Sequence, residues 1–224
     1  MSLPKAILLD QDGTIIDSEP LWENAERAMT EALGGVLTAE MRQRMIGGPL
    51  RETIDLILEA SGAERDPAEL EDELVTEVAG LIGADGVPWM PGVPEFFARV
   101  GEAGVPLGLV TSSRRRICDV VVPAAPEPGF AKIVSGDDVA RLKPAPDAYL
   151  EGARRFGVDI ADCLVVEDSP TGIRAAVDSG AVVVVIPGVA DVPASPDYSR
   201  LKSLDDLTLE RIEALMAGER LDLV

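Results

Sequence analysis

Short, fully apolar runs punctuate the chain at wide intervals. They are KAILL (5–9), PLGLV (106–110), KIVS (132–135), CLVV (163–166) and AVVVVI (181–186). Runs of this length without polar alternation predict strands buried on both faces, as in a parallel sheet. Helical periodicity fills the intervals, so the pattern predicts a doubly wound, Rossmann-like α/β parallel sheet.

One interval is too long for a single crossover. About four helical patterns and no strand lie between Asp10 and Pro106. The first opens at Ser18, an expected N-cap, with Pro20 in the first turn. Its expected apolar face is Leu21, Trp22, Ala25, Ala28, Met29, Ala32 and Leu33, and Gly34–Gly35 end it. Two more run over 38–46 and 50–60. A fourth starts at DPAE (66–69), where Asp66 and Glu69 predict a capping box, and its face is Leu70, Leu74, Val75, Val78, Leu81 and Ile82. The surplus predicts an inserted all-helical cap over 18–84, with the core built from 1–17 and 85–224 and PGVPEFFARV (91–100) as the crossover helix. Hung from the carboxyl end of the first strand, such an insert is expected to act as a lid that selects substrate and excludes water.

Composition narrows the chemistry. The 224 residues carry 20 basic and 40 acidic side chains, a net charge of −20. That balance disfavours phosphate backbones and anionic lipid surfaces, and aromatics at 4% leave little for stacking on single strands. No nucleic-acid or membrane partner is expected. Histidine is absent. This excludes a Ser-His-Asp triad, a phosphohistidine and histidine-ligated zinc. Cys118 and Cys163 lack metal-ligand spacing and read as buried apolar residues. The apolar stretch 181–190 is too short to span a bilayer, and residues 1–9 do not pattern as a signal peptide. A reducing cytoplasm is the expected location.

Polar clusters follow the expected strands. Asp10-Gln11-Asp12-Gly13-Thr14 follows the first, Thr111-Ser112-Ser113 the second, and Glu167-Asp168-Ser169 a later one, while RLKPAPD (141–147) supplies Lys143. In a parallel sheet these ends share one edge. Asp10 and Asp168 offer hard oxygen ligands suited to Mg²⁺. Hydroxyls and backbone N–H groups at Thr111 and Ser112 suit an anion, and Lys143 adds a positive charge. One carboxylate can attack phosphorus while a second moves protons. Taken singly, each cluster has a plain alternative as a tight turn, a helix cap or a solvated lysine.

The series DQDGT (10–14), TSS (111–113), KPAPD (143–147) and VVEDSPTGIRAAVDSGA (165–181) resembles the haloacid dehalogenase-like hydrolases, of the group with a helical cap after the first motif. DGTIIDSEPLW (12–22) and GGPLRETI (47–54) are similar to its β-phosphoglucomutase-like and sugar-phosphate phosphatase members. The resemblance implies Asp10 as nucleophile and Mg²⁺ ligand. Asp12 would be the general acid/base and lend its backbone carbonyl to the metal. It implies phosphate binding by Thr111, Ser112 and Lys143, and Mg²⁺ ligation by Asp168 with Glu167 in or near the metal shell. Gly47 and Arg51 would belong to a substrate loop of the cap. A monomeric phosphatase of small phosphorylated metabolites, chiefly sugar phosphates, is expected. Two competing functions are a phosphosugar mutase and, from another class, a phosphoryl-accepting receiver domain. The mutase pattern carries a cap histidine near Trp22 and a cap lysine near Val78, and neither is present. The stretch 18–84 holds no lysine at all, which argues against a Schiff-base hydrolase. The residue between the two acids is apolar in most of the family, whereas here it is Gln11, whose side chain is expected to point away from the metal.

Overall fold

A computed structural model describes residues 2–188 and 192–224. The last two residues of the apolar stretch 181–190 lie outside the described residues. Six parallel strands form one sheet: β1 (Ala6–Leu9), β2 (Leu107–Val110), β3 (Lys132–Val134), β4 (Cys163–Glu167), β5 (Val182–Val185) and β6 (Ser199–Arg200). Their order is β3-β2-β1-β4-β5-β6. β1 is central, with Leu9 opposite Leu109 on one side and Val166 on the other. The five apolar runs became the first five strands; β1, β2 and β4 are buried throughout and β5 nearly so, whereas β3, at the sheet edge, has Lys132 exposed and only Val134 buried. β6 has only two residues, one of them Arg200, and carries no apolar signal.

The chain builds outward from β1 to β3 and then returns to β4 on the opposite side of β1. That reversal between β1 and β4 is the topological switch point, where open α/β sheets leave a crevice at the strand carboxyl ends. α5 (Val93–Glu102), α6 (Arg115–Val121), α7 (Asp147–Phe156), α8 (Pro170–Ser179) and α9 (Leu209–Met216) accompany the sheet. Tyr149, Ala148 and Ala153 of α7 and Ala175 and Ala176 of α8 join Leu8, Val110, Val165 and Val183 in one buried cluster. Cys118 and Cys163 are buried free thiols.

Contacts divide the chain into two compact units, 1–17 with 88–224, and 18–87. The second unit contains four helices, α1 (Glu19–Ala32), α2 (Ala39–Met45), α3 (Leu50–Ser61) and α4 (Pro67–Asp85). α4 packs on α1 and α3, burying Leu70, Leu74, Val75, Val78 and Ile82. Asp66 caps α4 by accepting from Ala68 N at 2.9 Å, but Glu69 pairs with Arg65 instead of closing a capping box.

α1 departs from the expected stripe. Ser18 has helical dihedrals and gives no side-chain cap. Its carbonyl accepts from Leu21 N and Trp22 N, so it already belongs to the first turn. Ala28 and Ala32 are exposed, and the buried positions are Ala25, Glu26 and Thr30. A charged residue occupies the inner face because Arg42 of α2 reaches it: Arg42 Nη1 lies 3.1 Å from Glu26, and the same guanidinium contacts Glu19 and Glu23.

Burial pushes the Glu26 carboxyl up to about 7, against the opposing pull of Arg42 and with reinforcement from Glu19 and Glu23. A raised folded-state value means that Glu26's contribution to stability is fully present below about 4.5, the ordinary glutamate value, and fades as pH rises through about 7. Glu26→Gln should therefore be more stable than the parent at pH 8.5, by on the order of 1–3 kcal/mol, with the gap closing toward pH 5. Urea midpoints across that range test this. A variant less stable at pH 8.5 would mean that the Arg42 pair outweighs desolvation.

Candidate active site

Polar residues close or directly follow β1, β2 and β4. Asp10 follows β1, and its backbone N–H is anchored to Val166 O at 3.1 Å. Thr111 follows β2, its N–H donating to Val134 O. Glu167 closes β4 and Asp168 follows it. Lys143 arrives from the connection between β3 and α7.

Lys143 Nζ is the hub. It lies 2.5 Å from Asp10 Oδ1, 2.7 Å from Glu167 Oε1, 3.0 Å from Val110 O and 2.9 Å from the Tyr149 hydroxyl. It also stands over the Tyr149 ring, 4.7 Å from the centroid. Tyr149 in turn donates to Glu167 Oε1 at 2.6 Å. The other Glu167 oxygen accepts from Asp168 N, Ser169 N and Ser169 Oγ. Glu167 is thus held by five donors and fully buried. Ser169 also caps α8 through Gly172 N at 3.1 Å.

Carboxylate oxygens of Asp10, Glu167 and Asp168 lie within 4.8 Å of one another, all buried. Burial, then Glu167, push the Asp10 carboxyl well above the usual range, with Lys143 pulling it down. Burial and Glu167 likewise raise Asp168 to about 7, against the Thr14 hydroxyl, which donates to Asp168 Oδ1 at 2.9 Å. Burial alone would lower Lys143, yet Asp10 and Glu167 carry it well above its ordinary value. Three crowded carboxylates against one ammonium form a hard, electron-rich oxygen set, which fits a divalent cation such as Mg²⁺.

Asp12 turns elsewhere. Its Oδ2 accepts from Ser113 Oγ at 2.7 Å, Gln11 Nε2 at 3.1 Å and Thr111 Oγ1 at 3.5 Å. Gln11, expected to point away from the metal, is buried and donates to Asp12 Oδ2. Thr111 is buried, whereas Ser112 is exposed, with its backbone carbonyl against Gly136. The helix after this turn begins only at Arg115. Its first N–H donates to Asp137, and Arg114 and Arg115 pair with Asp137 and Asp138.

Asp10, Lys143, Glu167 and Asp168 therefore form one group of direct contacts, and Asp12 and Thr111 a second with Ser113 and Gln11. Gly47 and Arg51 belong to the helical unit. Gly47 follows α2 with φ +65°, and Arg51 is an exposed first-turn residue of α3 paired with Asp55 at 3.0 Å. Sequence reasoning passed over Tyr149, Ser113 and Gly172. Ser113 was visible as the third letter of TSS, and Gly172 as a glycine inside a helix's first turn. Tyr149 had no signal beyond an apolar position in α7.

Two glycines make the crowding possible. A Cβ at Gly13, where φ is +82°, would stand 2.3 Å from Asp168 Oδ2. At Gly172 it would stand 1.8 Å from Glu167 Oε1. Gly172→Ala should expel Glu167 from its five donors and destabilise the protein by about 1–3 kcal/mol, despite alanine's better helix propensity. Urea denaturation measures this, and a neutral or stabilising result would contradict the packing.

Residues 4–180 match the family model for haloacid dehalogenase-like hydrolases. Hexitol phosphatase A of Escherichia coli (strain K12) is 31% identical over 212 residues, 92% of this chain and 94% of that one. The phosphorylated carbohydrates phosphatase of Thermotoga maritima is 31% identical over 177 residues, 79% of this chain and 82% of its own. The crystal structure of CbbY from Rhodobacter sphaeroides in complex with phosphate superposes with a TM-score of 0.84 at 26% identity, covering 94% of this chain and all of that one. Hydrolase motifs and phosphatase-named relatives together support a phosphatase. With its acids, lysine and hydroxyls gathered at the switch point of a parallel sheet, the chain belongs to the haloacid dehalogenase-like hydrolase family.

Proposed function

We propose that this protein is a Mg²⁺-dependent phosphatase of small phosphorylated sugars or sugar alcohols, working through an aspartyl-phosphate on Asp10. The observation that carries this reading is the pairing of Lys143 with Asp10 at 2.5 Å beside the buried Asp168. An isolated carboxylate would be repelled by a phosphate ester. With its charge shared by an ammonium, Asp10 can approach phosphorus.

Asp10 attacks phosphorus and the ester oxygen departs, taking its proton from Asp12. Asp12 then removes a proton from water, which attacks the phosphorus of the aspartyl-phosphate, releasing phosphate and regenerating Asp10. Thr111, the backbone at Ser112 and Lys143 hold the phosphoryl oxygens. Asp10, Asp168 and the Asp12 carbonyl, with Glu167 behind them, would hold Mg²⁺, which supplies charge neutralisation at the transferring group. The helical unit, with Gly47 and Arg51, selects the substrate. Names of relatives that act on hexitol and carbohydrate phosphates support the substrate class. Transfer to water rather than back to a sugar is supported by the missing cap histidine and lysine.

Phosphate release from a panel of hexose, hexitol and pentulose phosphates tests the reading. Turnover should vanish on chelation and return with Mg²⁺. Asp10→Asn should be inactive while folded, and Asp12→Asn should lose roughly 10²–10⁴-fold in rate. Activity that survives thorough chelation, or a near-normal Asp10→Asn enzyme, would overturn it.

A further inference from the structure

Gln11 presents an unexplained cost. Its side chain is fully buried, and its Oε1 has no hydrogen-bond partner among the described residues. An orphaned buried amide oxygen is unfavourable because it has given up its hydrogen bonds to water, a penalty that a leucine or methionine of similar volume would avoid. The amide's one side-chain hydrogen bond runs from Nε2 to Asp12 Oδ2 at 3.1 Å. The Gln11 carbonyl accepts from both Ile15 N and Ile16 N, fixing the turn from which the two side chains project.

We propose that Gln11 is a positioning residue that holds the Asp12 carboxylate in the rotamer used for proton transfer, an inference that rests on the phosphatase reading above. Three donors converge on Asp12 Oδ2. Two, Ser113 and Thr111, come from the turn after β2. The Thr111 hydroxyl also accepts from Ser113 N at 2.9 Å, and in the proposed reaction it is needed by the phosphoryl group. Gln11 follows directly on the strand end beside Asp12 itself, so its hold persists when the Thr111 hydroxyl turns to substrate. A neutral amide orients the carboxylate without adding a charge to a site already dense with charge.

The test separates positioning from packing by the leaving group. A hexitol phosphate departs as an alkoxide and needs a proton from Asp12, whereas p-nitrophenyl phosphate departs as a stable phenolate and needs none. kcat/KM covers only the steps through leaving-group departure, so it isolates the acid role from the shared hydrolysis of the aspartyl-phosphate. In Gln11→Met and Gln11→Leu, the ratio of hexitol-phosphate to p-nitrophenyl-phosphate kcat/KM should fall about tenfold. Equal losses on both esters, or none, would overturn the proposal. Crystal structures of the parent and Gln11→Met give a readout independent of turnover. The Asp12 carboxylate should leave its single position in the variant, and an unmoved carboxylate would overturn the proposal. A parent enzyme that cleaves neither ester would defeat the phosphatase reading itself, and the crystal comparison would then decide Gln11's role alone.

Discussion

The ammonium of Lys143 makes the rest of the site possible. Two unit charges 4 Å apart interact by about 4 kcal/mol at an effective dielectric near 20, and three carboxylates crowd here within 4.8 Å. Lys143 bonds two of them directly. Around that hub the local chemistry is determined in turn. Glu167 needs five donors because it has no solvent, which requires the hydroxyl of Tyr149 and the N-cap of α8. Gly172 must be glycine because Glu167 lies against its α-carbon, and Gly13 because Asp168 does. The surplus negative charge that Lys143 does not offset is the physical basis for the proposed divalent cation.

The fold gives the two neighbouring acids different surroundings. Asp10 and Asp12 are separated by one residue, yet Asp10 faces Lys143 and the β4 acids, while Asp12 faces Ser113, Thr111 and Gln11. A tight turn achieves this, closed by bonds from Gly13 N to Ile16 O and from Ile15 N and Ile16 N to Gln11 O. One carboxylate next to a cation and another among neutral donors is the division of labour expected of a nucleophile and a proton carrier. In a straight strand, residues 10 and 12 would share one face and one environment.

The sheet was legible in the sequence because buried parallel strands are apolar on both faces, and the polar clusters were legible because they follow those strands. What escaped was whatever depends on contacts across the fold. Thr14 and Asp168 meet although 154 residues apart, and Tyr149 reads as one more apolar position of α7 until its hydroxyl is seen on Glu167. On α1, the periodicity placed Ala25 correctly but also predicted Ala28 and Ala32 inside, whereas Glu26, paired with Arg42 of α2, is the buried neighbour. Ser18 had the identity of a cap without its backbone geometry. Gln11 was placed correctly in the turn, but its direction follows from the turn's hydrogen bonds, which no local pattern reveals.

The central claim is that the carboxylate neutralised by Lys143 is the one that takes the phosphoryl group. Rapid acid quench of the enzyme turning over a labelled sugar phosphate, followed by hydroxylamine and peptide mapping, tests it most directly. The account predicts an acid-stable, hydroxylamine-labile label on the peptide carrying Asp10, converting Asp10 to its hydroxamate. Label on Asp12 or on a hydroxyl residue, or turnover with no covalent label at any quench time, would contradict it.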